Sequence, residues 1–183
     1  MQAIIQAIEA HTLHAEIAVV ISDREQAGIL EKARTHHITA VYVSTKHNGK
    51  RLERAAYDTL VDRLLQEHNV DLVLMIGYMR IVSPLFCNRW DGAIVNVHPS
   101  LLPEFAGGMD ENVHKSVLAS GRTETGCTVH LVTEAVDGGP ILLQKRCAVY
   151  REDTPETVKQ RVQQLEGEAL IEVIEQFFQA YQV

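Results

Sequence analysis

An asparagine and a histidine stand at the end of one short apolar run, in Ala-Ile-Val-Asn96-Val-His98-Pro99. Side chains alternate between the two faces of a strand, so Asn96 and His98 should point to the same side, and Pro99 should end the ladder. An amide N–H beside an imidazole could stabilise the oxyanion of an acyl-transfer reaction. A structural pair, with Asn96 capping the strand end and His98 satisfied by its neighbours, is the open alternative.

A second candidate is Asp137, which begins the turn signal Asp137-Gly138-Gly139-Pro140. On its own this sequence is typical of a plain turn. If the fold brings Asp137 beside His98, its carboxylate should raise the pKa of the imidazole and relay protons. The sequence alone leaves both interpretations open.

A third candidate segment, Gly77 to Val82, directly follows an apolar run. Gly77 permits close backbone approach, so exposed backbone groups there could bind the edge of a heterocycle. A simple connection between a strand and a helix is the alternative. The remaining histidines lack the spacing of known metal motifs, and we predict no metal site.

The elements that must position these residues alternate along the chain. This alternation predicts an α/β fold with a doubly wound, mostly parallel sheet covered on both faces. Two closely spaced strands near the carboxyl terminus predict an antiparallel hairpin. The last helix should begin at Pro155, capped by Asp153 or Thr154, with Glu156 completing a capping box with Asp153. Helices are predicted over 2–10, 27–36, 51–68, 83–90, 110–120 and 155–181, and strands over 16–21, 38–43, 70–76, 93–98, 127–132 and 141–149.

Composition narrows the classes of function. The chain has 183 residues and a formal net charge of −7, which predicts a single domain over 1–183 and argues against a nucleic-acid partner. Its 3 cysteines form no CxxC pair, so we expect a reduced, cytoplasmic setting. We find no signal peptide, and the most apolar window, 72–79, is too short to cross a membrane.

Four segments together resemble the phosphoribosylglycinamide formyltransferase family: GYMRIVSPLF, NVHPSLLPEFAGGMDENVH, TGCTVHLV and AVDGGPILLQ. The resemblance implies an enzyme that transfers the formyl group of 10-formyltetrahydrofolate, its co-substrate, to the amine of glycinamide ribonucleotide in de novo purine biosynthesis. It implies a monomer or a homodimer that acts on small molecules without a metal.

The resemblance also implies roles for individual residues. Asn96 would polarise the formyl oxygen, His98 would be the general acid, and Asp137 would raise the pKa of His98. Glu166 would be the best candidate for a ribose contact. The folate site would comprise Asn96 and Asp137 together with Arg54, Met79, Arg80, Ile81, Val82, Thr133, Glu134, Ala135 and Val136, and the ribonucleotide site Gln163, Gln164, Leu165 and Glu166.

The chain departs from the family pattern at two places. Members open with an apolar strand and a Gly/Ser-rich loop before a helix that resembles Gln2–Ala10. We therefore expect this chain to be incomplete at its amino terminus, with the first central strand missing from the sheet. Glu104 stands where relatives carry lysine, and should weaken attraction to an anionic substrate unless it faces away.

Three alternative functions stay open. Methionyl-tRNA formyltransferase shares the fold, but it carries a further domain and needs a basic surface. A formyltetrahydrofolate hydrolase also shares the fold, although His98-Pro99-Ser100 fits the transferase better than the hydrolase. If the missing amino terminus is genuine, the chain could be a non-catalytic folate-binding remnant.

Overall fold

The computed structural model describes residues 1–108 and 110–180, with residues 110–112 described by their backbone alone. The predicted alternation of helices and strands is confirmed. The helices are α1 (Gln2–Glu9), α2 (Gly28–Thr35), α3 (Arg54–Glu67), α4 (Pro84–Arg89), α5 (Asp110–Ala119) and α6 (Pro155–Ala180). The strands are β1 (Val20–Ser22), β2 (Ala40–Tyr42), β3 (Lys46–His47), β4 (Lys50–Arg51), β5 (Val73–Met75), β6 (Ile94–His98), β7 (Glu124–Leu131) and β8 (Ile141–Ala148).

The strands combine parallel and antiparallel pairing. β1 pairs with β2 in parallel, and β5 pairs with β6 in parallel. Beyond β6 the pairing becomes antiparallel, in the order β5-β6-β7-β8, and β7 with β8 forms the predicted hairpin. β3 and β4 form a small antiparallel hairpin that turns at Asn48 and Gly49, both at positive φ.

The strands form two separate parallel-containing units, β1-β2 and β5-β6-β7-β8. Within residues 1–108 and 110–180 no strand connects β1 to β5. A slot of about 600 Å³ lies at this gap, bordered by β1, β5 and the helices that cover them. The strands bordering it are short: β1 and β5 pair over 3 residues each.

Close packing of α1 on α6 explains the glycine inside the last helix. A Cβ added at Gly167 would lie 2.8 Å from the Cβ of Ala3, so only glycine allows the two helices to approach this closely. Apolar residues of α6, such as Val162 and Leu170, join Ile4 of α1 and Val129 of β7 in one core cluster.

The cap of α6 differs from the predicted pairing of Asp153 with Glu156. Thr154 and Thr157 form the reciprocal box, because the backbone N–H of each donates to the side-chain oxygen of the other at 3.0 and 3.3 Å. Asp153 instead accepts two hydrogen bonds from the Arg161 guanidinium, each at 2.8 Å. Arg161 lies farther along α6, so this contact was not visible in the local capping pattern.

None of the helices in the described part of the chain is both long and apolar enough to cross a membrane.

Candidate active site

Strand β6 lies between β5 and β7 and presents Asn96 and His98 on one face. In the antiparallel ladder with β7, Asn96 is paired with His130 and His98 with Thr128. Residues directly opposite each other in such a ladder share a face. These four side chains therefore form a polar group at the carboxyl end of β6, where open α/β sheets bind their ligands.

Thr128 holds the loop that follows β6. Its hydroxyl donates to the Ser100 carbonyl at 2.7 Å and accepts from the Leu102 backbone N–H at 2.9 Å. Gln144 of β8 donates to the Leu102 carbonyl at 2.9 Å. This network places the carbonyl of Phe105 within 3.1 Å of His98 Nε2.

Asp137 reaches the same group from the β7–β8 connection. Its Oδ2 atom lies 3.4 Å from His98 Nδ1 and its Oδ1 atom 3.6 Å from His130 Nε2. Oδ2 also accepts the backbone N–H of Gly107 at 2.8 Å. Asp137 adopts a φ of 51°, a conformation that aspartate tolerates in turns. The fold thus brings Asp137 next to Asn96 and His98. Asn96 and His98 lie close together in the sequence, whereas Asp137 lies far from both.

Two opposed effects act on the pKa of His98. Both ring nitrogens face oxygen acceptors, Phe105 O and Asp137 Oδ2, and only the imidazolium form can donate to both. His98 is only 3% exposed, and burial penalises the charged form. Burial is the larger effect and lowers the pKa of His98 below its ordinary value, while Asp137 and the Phe105 carbonyl act to raise it. Asp137 therefore raises the pKa of His98 as predicted, but burial outweighs it and the net shift is downward.

His130 is a member of the site that the sequence analysis missed. Its Nδ1 atom lies 2.9 Å from the Leu131 carbonyl, an acceptor, so Nδ1 is the donor in that contact. Nε2 is then free to accept from Asn96 Nδ2, 3.2 Å away. This contact orients the Asn96 amide. The contact between His130 and Asn96 is visible only once the register of β6 against β7 is known. The only local signal in the sequence is that Thr128 and His130 alternate along one strand and so share a face.

The segment predicted to bind folate after β5 is split between exposed and buried side chains. Met79 and Ile81 are each 49% exposed. Val82 is buried in a cluster with Phe86 and Trp90, so its side chain is not accessible to a ligand.

The same segment contacts the start of α3. The Arg80 guanidinium lies 4.2 Å from the centre of the Tyr57 ring. Arg54, exposed at the first position of α3, is one helical turn before Tyr57 and so lies on the same side of the helix.

The second predicted folate segment forms the turn that carries Asp137. Glu134, Ala135 and Val136 are exposed, and Thr133 is half-buried. The Ala135 carbonyl accepts the backbone N–H of Gly138 at 3.1 Å and closes the turn. A Cβ at Gly139 would lie 1.9 Å from the Leu131 carbonyl oxygen. Glycine is therefore required there for the turn to direct Asp137 inward and Val136 outward.

The predicted ribonucleotide segment lies on α6. Gln163 and Gln164 are exposed, while Leu165 packs against the core. Glu166 is half-buried, and its charge acts on two neighbours. It adds to burial in raising the pKa of the Cys127 thiol to about 12, and it opposes burial and Lys32, which lower the pKa of the Met1 amino group. Glu166 therefore faces α1 and β7, on the helix that covers the site's strands.

Glu104 does not present an uncompensated charge. Its carboxylate accepts from Arg122 Nη2 at 2.7 Å. The pairing offsets the unfavourable charge expected from the replacement of lysine. No group of histidine, cysteine or acidic side chains in the described ranges could hold a metal ion.

A family comparison extends over nearly the whole chain. The model of the formyl transferase family matches residues 1–174. Among curated proteins, the chain is 37% identical over 177 residues to the phosphoribosylglycinamide formyltransferase of Haemophilus influenzae, covering 97% of this chain and 81% of that protein. It is 41% identical over 169 residues to the trifunctional purine biosynthetic protein adenosine-3 of Gallus gallus, covering 92% of this chain. The chain spans only 16% of the length of that chicken protein.

The comparison with solved structures also finds similarity to this family. The crystal structure of glycinamide ribonucleotide transformylase 1 from Symbiobacterium toebii superposes with a TM-score of 0.90 at 37% sequence identity. The match covers 98% of this chain and 82% of that one.

Proposed function

Because the chain belongs to the formyl transferase family, we propose that it transfers the formyl group of 10-formyltetrahydrofolate to the amine of glycinamide ribonucleotide, a step of de novo purine biosynthesis. The observation that carries the proposal is the convergence of Asn96, His98 and Asp137 at the end of β6. The names of the Haemophilus formyltransferase and of the Symbiobacterium transformylase support the substrate.

The chemistry follows from these groups. The amine nitrogen attacks the formyl carbon, and the carbonyl oxygen becomes an oxyanion. Asn96 Nδ2 donates to that oxygen, and the His98 ring donates to it when the oxygen replaces one of its two present acceptors, Phe105 O and Asp137 Oδ2; such donors stabilise the intermediate. The bond from the formyl carbon to the folate nitrogen then breaks. One proton passes from the attacking amine, through Asp137 and His98, to the folate nitrogen, and this sequence of steps needs neither a covalent intermediate nor a metal.

The lowered pKa of His98 gives Asp137 its role. A buried imidazole holds a proton poorly, and the carboxylate 3.4 Å from Nδ1 offsets part of that loss. Asp137 therefore keeps His98 able to donate to the oxyanion and to the leaving nitrogen. His130 holds the Asn96 amide in place, which spares the orientation cost during the reaction.

The folate is proposed to lie between two exposed apolar segments. Met79, Ile81 and Val136 offer apolar side chains to a flat ring, and backbone groups between them can bind its polar edge. Arg54 is exposed at the beginning of α3, where its guanidinium can pair with a carboxylate of the folate. The ribonucleotide is proposed to contact Gln163, Gln164, Leu165 and Glu166 of α6.

The setting is proposed to be the cytoplasm. Cys87, Cys127 and Cys147 are all free thiols, which suits a reducing compartment. The contacts among Asn96, His98, His130 and Asp137 lie within one chain, so a monomer and a homodimer can both carry the site.

Hydrolysis of the formyl folate is the competing function, since water could replace the amine. The test follows loss of the formyl group from 10-formyltetrahydrofolate with and without glycinamide ribonucleotide. We expect loss only when the amine is present, and none in Asn96→Ala or His98→Ala. Loss without the amine would instead establish the hydrolase, and tight folate binding without turnover would establish the non-catalytic alternative.

A further inference from the structure

The segment 77–82, which joins β5 to α4, forms neither a helix nor a strand. Its side chains alternate in exposure, because Met79 and Ile81 are exposed, Arg80 is half-buried and Val82 is buried. The ladder between β5 and β6 ends before this segment, and the segment makes no backbone–backbone hydrogen bond to the rest of the described chain. Irregular chain of this kind opens easily, so its conformation depends on the contacts that hold it at particular points.

Helix α3 holds the carboxyl end of the segment through Asp58. The Oδ2 atom of Asp58 accepts the backbone N–H of Ser83 at 2.6 Å, and Asp58 is only 3% exposed. Hydrogen bonds to a carboxylate are stronger than those between neutral groups. Ser83 also caps α4, since its hydroxyl accepts the backbone N–H of Phe86 at 3.4 Å. Asp58 therefore fixes the point at which the segment enters α4.

The residue before Asp58 holds the middle of the segment. Tyr57 is fully buried, and the Arg80 guanidinium lies 4.2 Å from the centre of its ring, within the range of a cation–π contact. Met79 and Ile81, on either side of Arg80, are the exposed residues of the segment. Two consecutive residues of α3 thus contact the segment or its end.

A second carboxylate of α3 contacts α4 away from the segment. Asp62 lies one helical turn after Asp58, and its Oδ1 atom accepts the indole N–H of Trp90 at 2.9 Å. Trp90 lies at the carboxyl end of α4, whereas Ser83 lies at its amino end. The two aspartates therefore link the same pair of helices, and only Asp58 does so where the segment ends.

We propose that Asp58 is a positioning residue for the folate, an inference that rests on the proposed function. Asp58 is buried, so it acts through the segment rather than on the substrate. Its contact with Ser83 keeps the segment in the conformation that presents Met79, Ile81 and the unpaired backbone groups to the folate ring. Without that contact only a fraction of molecules would hold this conformation, and the affinity for the folate would fall by that fraction.

Asp58→Ala tests this role by separating binding from catalysis. Isothermal titration calorimetry with tetrahydrofolate measures the dissociation constant, and steady-state rates with 10-formyltetrahydrofolate give KM and kcat. We expect both folate constants to rise about 10- to 100-fold, the usual effect of losing a hydrogen bond to a charged group. The value of kcat and the KM for the ribonucleotide should stay within about twofold. Asp62→Ala, the matched control, should lower stability in urea unfolding but keep the folate affinity.

A second variant removes the same hydrogen bond from its other side. Ser83→Pro lacks the backbone N–H, and the φ of Ser83, −74°, is one that proline adopts. This variant should weaken folate binding as Asp58→Ala does. Adding Asp58→Ala to it should have little further effect, because both changes remove one contact. Since Ser83→Pro leaves α3 unaltered, it tests the proposal even if Asp58→Ala does not fold.

Three results would overturn the positioning role. The folate affinity could be unchanged in Ser83→Pro, the effects of the two changes could add in full, or Asp62→Ala could weaken folate binding as much as Asp58→Ala. Each of these would leave the proposed formyl transfer untouched, because the unmodified chain would still bind the folate and transfer its formyl group. An unmodified chain that binds no tetrahydrofolate would instead overturn the proposed function and, with it, this inference.

Discussion

His130 Nε2 accepts a hydrogen bond from Asn96 Nδ2 across 3.2 Å, from the position directly opposite Asn96 in the β6–β7 ladder. The ring is held in this orientation because its Nδ1–H donates to the Leu131 carbonyl at 2.9 Å. The Asn96 amide is therefore fixed before any substrate binds. In the proposed reaction, His130 would act through Asn96, as a positioning residue for the oxyanion donor.

Replacement of His130 tests this relationship. We predict that His130→Ala lowers kcat about 10- to 100-fold, because losing the partner of the half-buried Asn96 amide costs about 1–3 kcal/mol, while the KM values stay within about twofold. In the Asn96→Ala background the same change should add little, since both act on one interaction. A full additional loss in the double variant, or a rise in KM alone, would contradict the positioning role.

Asn96 itself should have the larger effect. We predict that Asn96→Ala lowers kcat about 100- to 1000-fold, the usual effect of removing one oxyanion donor. Asn88→Ala, at an exposed position of α4, is the matched control and should keep full activity. Steady-state rates at saturating substrates measure both. A loss of similar size in the control, or none in Asn96→Ala, would remove Asn96 from the reaction.

How much of this site was predictable depends on how local each contact is. Asn96 and His98 share a face because of strand alternation alone, which is readable within a few residues. Asp137 meets His98 only because the β7–β8 hairpin returns to β6. His130 depends on the register of β6 against β7, and the sequence contains no signal for that register. Its role could be seen only once the ladder was known.

Asp137 should control the proton affinity of His98. Burial lowers the pKa of His98, and the carboxylate of Asp137 opposes that effect. We therefore predict that Asp137→Asn lowers the pKa of His98 further. The measurement is an NMR titration of the His98 ring protons in both proteins. An unchanged or higher pKa in Asp137→Asn would mean that the 3.4 Å contact carries no charge interaction.

The same shift makes stability depend on pH. The folded-state pKa of His98 lies below its unfolded value of about 6.5. Its contribution is therefore fully present above about pH 6.5 and is lost as the pH falls through the folded-state pKa, by up to about 1.4 kcal/mol per pH unit.

Denaturant unfolding at about pH 7.5 and about pH 5 measures this dependence. His98→Gln should lose less stability on acidification than the unmodified chain. His47→Gln, at an exposed position of β3, should lose as much stability as the unmodified chain. Equal acid sensitivity in all three proteins would contradict the shift.

Helix packing could be predicted only in outline. The close contact between Gly167 of α6 and Ala3 of α1 is identified only by the structure. Asp153 and Thr154 are both predicted caps of α6, and the structure selects Thr154, which forms the capping box with Thr157. Asp153 instead accepts two hydrogen bonds from the Arg161 guanidinium. Both outcomes depend on side chains that compete for one partner, which a local motif does not resolve.

Gly167 should tolerate no side chain. An alanine there gains about 1 kcal/mol of helix propensity, but its Cβ would lie 2.8 Å from Ala3 Cβ, and such overpacking costs about 1–3 kcal/mol. We predict a net loss of stability for Gly167→Ala, measured by urea unfolding, and recovery on adding Ala3→Gly. Gly28→Ala, where nothing lies within 4 Å, should not destabilise. Failure of Ala3→Gly to recover stability would refute the contact.

The central claim is that this chain moves a formyl group to an amine with Asn96, His98 and Asp137. The most direct measurement follows an isotopic label in the formyl carbon of 10-formyltetrahydrofolate during a single turnover with glycinamide ribonucleotide. We predict that the label appears in the formylated ribonucleotide in the unmodified chain, and that this transfer is nearly abolished in His98→Ala. Label recovered as formate, or transfer that is unchanged in His98→Ala, would contradict the account.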